Sequence, residues 1–312
     1  MYVGQVNAVS EEVKKVIFGK DEVIKKVLMA VIGSGHILIN DIPGVGKTTM
    51  ANAFSRAMGL EQKRVQFTPD VMPSDITGFS MYNKELGSFE YKEGAVMCNL
   101  FLADEINRTS PKTQSALLEV MEEGKVTVDG VTHELMRPFI VFATQNPEGS
   151  VGTQKLPESQ LDRFMICTSM GYPSTEAAVR VIQGKRYNLM ETVKNVISAE
   201  ELMTIREAVK QVYIEEAVCF YIAQLVEASR EHEAVMLGIS PRGSVAIAGI
   251  AKACAFMHGR DYVVPSDVQE VLYETMNHRL VLNARAKVNK VSCSEVIKEI
   301  TVSVAVPSLK IN

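Results

Sequence analysis

The sequence predicts an α/β fold followed by a smaller helical part, and three observations carry that prediction. Short apolar runs alternate with helical segments over the first two thirds of the chain. Some of these runs are apolar throughout, as LFLA at 100–103 is, which is the mark of a parallel strand buried on both faces. Beyond Ser174 the pattern is nearly all helical. Alternation of strand and helix implies a parallel sheet that binds ligands at the carboxyl ends of its strands.

Strands are expected at 36–40 (HILIN), 64–68 (RVQFT), 100–103 (LFLA), 139–144 (FIVFAT) and 164–168 (FMICT), with helices at 48–58 and 113–123 between them. Residues 76–96 hold Gly78, Gly87, Gly94 and scattered aromatics, and read as an inserted loop or small subelement. Asp129-Gly130 stands between two alternating runs at 125–135 and signals a hairpin. Gly171-Tyr172-Pro173-Ser174 breaks regular structure and reads as a linker, placing the domains at 1–171 and 175–312. In the second part Ser198 and Glu201 form a capping box ahead of Leu202, Ile205, Val209 and Val212 at helical spacing. Ser266 with Gln269 is expected to cap a further helix carrying Val268, Val271, Leu272 and Met276.

The 312 residues are 46% hydrophobic and 22% charged, enough for a real core and too ordered in composition for a disordered chain. The net charge of −4 gives no global pull toward nucleic acid or anionic lipid, and none is expected as a partner. No apolar run reaches the roughly 18–20 residues of a membrane span, and the first residues show no secretory pattern. Cys98, Cys167, Cys219, Cys254 and Cys293 are far apart and read as core residues of a reduced, cytoplasmic protein. None of the five histidines has metal-ligand spacing.

The stretch Asp41-Ile42-Pro43-Gly44-Val45-Gly46-Lys47-Thr48-Thr49 follows the first strand and opens a helix. Gly44 and Gly46 let the backbone curl its N–H groups toward phosphate oxygens, and the helix N-terminus adds its positive dipole end. Lys47 would reach the β- and γ-phosphates, and the Thr48 hydroxyl would bind Mg²⁺. The motif wants glycine where Asp41 stands. An apolar strand ending in Asp104-Glu105 places two carboxylates beside that loop, Asp104 for Mg²⁺ and Glu105 to polarise the attacking water. Asn146, just past FIVFAT, offers a neutral amide to the γ-phosphate or the water, or else forms an Asn-Pro turn.

With these elements in order the chain resembles an AAA+ ATPase, and more narrowly the MoxR family. The marks are PGVGKTT at 43–49, LADEINR at 102–108, ATQNP at 143–147, LPESQLDRF at 156–164 and SPRG at 240–243. The resemblance implies an AAA+ P-loop domain with a five-stranded parallel sheet and an all-helical lid. It implies an ATP- and Mg²⁺-dependent hydrolase that forms a ring, a hexamer by family expectation, and acts like a chaperone on protein clients, von Willebrand factor A domain proteins among them. It also implies an acidic residue at the place of Asp41, an arginine finger at Arg163 and sensor 2 at Arg242. Ser240 and Pro241 would start the helix that bears Arg242, from which it could reach back to the γ-phosphate. Residues 76–96 become an insertion in the second helix and 125–135 a hairpin, both facing the pore or the substrate. Asn107 and Arg108 receive no firm role, and Phe18-Gly19 lies where such proteins contact adenine. A magnesium chelatase-like motor subunit and an ATP-gated binding module with negligible turnover remain as alternatives.

Overall fold

The computed structural model describes residues 2–146, 154–182 and 189–308. In chain order the elements are α1 (Val3–Lys14), α2 (Asp21–Ile32), β1 (Ile37–Asn40), α3 (Lys47–Ala57), β2 (Gln62–Gln66), α4 (Pro73–Thr77), β3 (Gly78–Asn83), β4 (Ser88–Glu93), β5 (Leu100–Asp104), α5 (Pro111–Glu123), β6 (Lys125–Val128), β7 (Val131–Glu134), β8 (Ile140–Gln145), α6 (Glu158–Leu161) and β9 (Ile166–Thr168). There follow α7 (Thr175–Ile182), α8 (Leu189–Thr192), α9 (Ala199–Lys210), α10 (Glu216–Glu231), β10 (Val235–Leu237), α11 (Pro241–Met257), α12 (Pro265–Met276), β11 (Val281–Leu282), α13 (Ala284–Val288) and α14 (Cys293–Ser303).

Five strands form one parallel sheet in the order β2-β5-β8-β1-β9. The chain runs from β1 to the far edge, returns through β5 and β8, and then passes to the other side of β1. The strand order therefore reverses at β1, the place where open α/β sheets bind ligands. Successive side chains alternate faces. Ile37, Ile39, Leu100, Leu102, Ile140 and Phe142 join a core with α1, α2 and α3 that continues into the C-terminal helices. Leu38, Phe101, Ala103, Val141 and Ala143 meet α5 in a second core on the opposite face.

The inserted segment is α4 followed by the antiparallel pair β3–β4. The second pair, β6–β7, turns through Asp129 and Gly130, both at positive φ, as the Asp-Gly dipeptide predicts. Tyr91 and His133 stack at 3.8 Å between ring centroids and join the two hairpins.

Several local expectations shift. Helix α5 starts at Pro111, because Ser110 accepts from Thr113 N. Strand β2 begins two residues early, at Gln62, which pairs with Leu100. Ser198 caps α9 as expected, but Ser266 does not cap α12. Pro265 already occupies the first helical position and Val264 is the cap, its N–H donating to the Asp267 carboxylate. The helical part also contains the short antiparallel pair β10–β11, closed after α10 and α12, which helical periodicity did not reveal.

The stretch expected as strand 164–168 pairs only from Ile166. The residues before it are held by the C-terminal end of α12. Asn277 Nδ2 donates to Cys167 O at 3.0 Å, and His278 Nε2 donates to Phe164 O at 3.0 Å. Arg279 is buried and donates to the Asp162 carboxylate at 2.7 Å, Phe164 O at 2.6 Å and Met165 O at 3.2 Å. Removing one partner of a buried, hydrogen-bonded ion pair leaves an uncompensated charge, at a cost of about 3–5 kcal/mol. Arg279→Ala is accordingly expected to lower stability by about that amount, read as a shift in urea midpoint; an unchanged midpoint would show that the contact is dispensable.

Candidate active site

The loop between β1 and α3 places Gly44 at φ +83° and Gly46 at φ +102°, angles that side chains with a Cβ rarely adopt. A Cβ at Gly44 would meet nothing within 4 Å, so the demand for glycine there is conformational and not steric. Left-handed residues on both sides of Val45 turn successive N–H groups to one side, a concavity suited to anions. The eleven-residue helix α3 opens behind it at Lys47. Pro43 and Gly44 are exposed, while Val45, Gly46, Thr48 and Thr49 are half-buried. Asp41 is not among the residues at positive φ, which is why the loop tolerates it where the motif has glycine.

Lys47 is buried at the carboxyl edge of the sheet, where its ammonium donates to Asp41 O at 2.6 Å and to Asn146 Oδ1 at 3.3 Å. Burial pulls its pKa below the usual lysine value, against the opposing charges of Asp104, Asp41 and Glu105. Asp104 ends β5 and is buried; Thr144 Oγ1 donates to its Oδ1 at 2.6 Å, and Arg64 from β2 donates to its Oδ2 at 2.7 Å. The Thr144 hydroxyl also accepts from Glu105 N at 2.9 Å, so one side chain on β8 sets both acidic residues.

Glu105 stands at φ +58°, ψ +48°, left-handed backbone that costs a non-glycine residue of order 1 kcal/mol and is concentrated at functional sites. The turn aims its carboxylate into the cluster. Burial raises its pKa, but the Arg108 hydrogen bond at 2.8 Å, a second from Asn146 and the charge of Lys47 outweigh burial and hold it below the ordinary carboxylate value. Asn146 therefore touches Lys47 and Glu105 together. Its backbone is pinned by Asn107, whose Nδ2 donates to Asn146 O at 3.1 Å and whose Oδ1 accepts from Asn146 N. Pro147 of the same motif lies outside the described residues.

Lys47, Asp104, Glu105 and Asn146 are thus brought to one place beside the loop. The fit to a magnesium-bound polyphosphate is good: an anion-binding concavity, one buried cation, and hard oxygen donors at Thr48 and Asp104. Arg163 and Arg242 are elsewhere. Arg163 donates to Leu118 O at 2.8 Å and pairs with Glu122 near the end of α5. Arg242, in the first turn of α11 behind the Ser240 cap, pairs with the other oxygen of Glu122, so it does not reach back to the loop of its own chain. Glu122 and Arg163 line a cleft of about 540 Å³ that no loop residue borders. Asp162, adjacent to Arg163, serves Ser240 and Arg279 instead.

Several organising residues escaped sequence reasoning. Arg64 and Glu122 carry no motif signal; Thr144 sits inside ATQNP, and Asn107 and Arg108 inside LADEINR, where their fixed spacing from Asn146 and Glu105 was the available clue. On the other side of the loop, Phe18 joins Ile17, Val45, Met170, Gly171 and Pro173 around a small apolar cleft. In the helical part Cys254, His258 and Asp267 approach one another, but Arg260 binds both carboxylate oxygens of Asp267 and offers a sufficient partner.

Comparison with known proteins agrees with this geometry. The family model for the "ATPase family associated with various cellular activities (AAA)" matches residues 36–166, and that for the "AAA lid domain" matches 227–300. The chain is 46% identical over 299 residues to the Bacillus subtilis protein YeaC, covering 95% of this chain and 93% of that one. It is 38% identical over 310 residues to Chaperone MoxR1 of Mycobacterium tuberculosis, covering 96% and 81%. It is 31% identical over 297 residues to Protein MoxR of Methylorubrum extorquens, covering 87% and 86%. The crystal structure of a Cytophaga hutchinsonii protein superimposes with a TM-score of 0.91 at 38% identity, over 98% of this chain and 96% of that one.

The Glu105–Arg108 contact predicts a titration. A folded-state pKa below the ordinary 4.5 means that ionised Glu105 adds stability above that value, lost as pH falls through the lowered pKa. In Arg108→Ala the opposition to burial weakens, and the Glu105 carboxyl pKa is expected to rise. Carbon-13 NMR of the labelled carboxyl checks this, and an unmoved midpoint would assign the lowering elsewhere.

Proposed function

The chain belongs to the MoxR family of AAA+ ATPases, and from that premise we propose that it hydrolyses ATP to ADP and phosphate to drive remodelling or activation of protein clients. The observation that carries the proposal is the cluster in which Asn146 joins buried Lys47 to ionised Glu105 beside the glycine loop. Pro43, Gly44, Val45, Gly46, Lys47, Thr48 and Thr49 hold the phosphates, with Lys47 supplying the buried positive charge. Thr48 and Asp104 hold Mg²⁺, which when bound draws charge from the transferring phosphoryl oxygens. Arg64 is half exposed on Asp104 and can withdraw to solvent when that carboxylate is required. Glu105 orients the attacking water and takes its proton, and Asn146 fixes that water or the phosphate without adding charge. The apolar cleft by Phe18 receives the base.

Arg163 and Arg242 come from distant parts of the sequence and converge on one carboxylate away from their own phosphate loop. Such placement supports their completing the site of a neighbouring subunit, hence a ring, with a hexamer as the family expectation. The fork of a guanidinium suits charge on a transferring phosphoryl group. Toward the client, the β3–β4 hairpin exposes Phe79, Met81, Tyr82 and Phe89, apolar side chains fit to grip an extended polypeptide. One relative is named a chaperone, and we extend that role, with von Willebrand factor A domain clients, to this chain. Among the described residues no helix is long and apolar enough to cross a membrane. The five cysteines are free thiols; Cys98, Cys167 and Cys254 are core residues as expected, whereas Cys219 is exposed and Cys293 half-buried, and the localisation we propose is the cytoplasm.

Lys47→Ala is expected to abolish ATP binding in calorimetric titration; unchanged affinity would remove the loop assignment. Glu105→Gln should keep binding and lose turnover by about 10²-fold, the scale of a lost general base. Specific activity should rise with protein concentration, and Arg163→Ala should abolish that rise; equal rates in both proteins at every concentration would overturn the arginine-finger assignment.

A further inference from the structure

Resting on the nucleotide reading, we propose that Asp41 is a positioning residue that builds the base side of the site, by fastening residues 169–171 to the phosphate loop. The motif places glycine at this position, and nothing about the backbone there requires a side chain. Yet the Asp41 carboxylate is buried and saturated. Its Oδ2 accepts from Ser169 Oγ at 2.9 Å, Met170 N at 2.5 Å and Gly171 N at 2.7 Å, while its Oδ1 accepts from Ile42 N at 2.8 Å. A buried carboxylate is tolerated only when several donors and a countercharge replace water, and here the main-chain oxygen of the same residue also receives the Lys47 ammonium.

The tether acts where it matters for a ligand. Strand β9 is an edge strand that ends at Thr168, and the Met170 and Gly171 amides that follow take this carboxylate as acceptor. The same two residues line the apolar cleft with Phe18 and Val45, next to Gly44. Gly171, at φ +60°, then turns the chain toward α7. Glycine at 41 would leave the phosphate concavity intact and release the cleft wall. Contacts to the base therefore depend on Asp41, whereas contacts to the triphosphate depend on Gly44, Gly46 and Lys47.

The two dependences separate by calorimetry on the full chain with Mg²⁺, titrating ATP and, in parallel, inorganic tripolyphosphate. Asp41→Gly is expected to weaken ATP binding about ten- to hundredfold, the scale of one or two lost hydrogen bonds to a charged acceptor, and to change tripolyphosphate binding less than about threefold. Asp41→Asn, which keeps an acceptor oxygen toward Met170 and Gly171, should restore most of the ATP affinity. Hydrogen exchange of those two amides should quicken in Asp41→Gly and not in Asp41→Asn. Equal loss for both ligands, or undiminished ATP binding with quickened amides, overturns the proposal. If Asp41→Gly does not fold, Ser169→Ala decides: a loss of a few-fold for ATP alone supports the tether, and none overturns it. A wild-type chain that binds neither ligand would sink the nucleotide reading instead, with amide exchange still testing the tether.

Discussion

The carbonyl groups of residues 162–167 are the constraint on which the rest of the structure depends. This segment leads from α6 into β9, lies beyond the reach of the sheet for most of its length, and is buried at Phe164 and Ile166. Buried carbonyls require donors. Three consecutive side chains after α12, Asn277, His278 and Arg279, supply them. Each donation crosses from the helical part to the α/β part. The helices cannot leave without orphaning the entry to β9, and β9 cannot pair with β1 unless that entry is ordered. The continuous apolar core shared by β1, α2, α11 and α12 adds the non-directional part of the same attachment.

One consequence concerns charge. Arg163 occupies the very segment that Arg279 immobilises, and Arg242 lies in the first turn of the helix whose cap, Ser240, donates to Asp162 at 2.7 Å. Two guanidiniums from distant parts of the sequence are thereby delivered to the single carboxylate of Glu122. Around the phosphate loop Asp41, Asp104 and Glu105 surround the buried ammonium of Lys47. Each cluster is satisfied internally by charge-assisted hydrogen bonds, those of Arg64 to Asp104 and Arg108 to Glu105 completing the one around Lys47.

The strained turn at Glu105 shows how the site is kept in order. Left-handed backbone at a glutamate persists only when its surroundings over-determine it. Thr144 holds its amide, Arg108 closes the turn onto its carboxylate, and Asn107 ties the next strand's Asn146 against it. Two neighbouring strands, β5 and β8, thus share responsibility for one side chain, a preorganisation that a flexible loop could not supply.

The sequence alone determined those features whose cause is local. Apolar runs marked the inner strands β1, β5 and β8, and all five strands were legible to within two residues. Asp129-Gly130 dictated its turn, and Ser198 and Ser240 their helix starts, because the forces involved act over a few residues. Lys47, Asp104, Glu105 and Asn146 were legible as candidates because each follows a strand that ends on one edge. Tertiary structure decided the rest. Val264 took the cap expected of Ser266 because Asp267, drawn toward Arg260, offered it a carboxylate. Asp162 went to Arg279 and not to Arg163, Arg242 turned to Glu122, and Asp41 found its partners 128 to 130 residues away. No periodicity or motif encodes such pairings, because a buried charge selects its partner by what the completed fold brings within hydrogen-bonding distance.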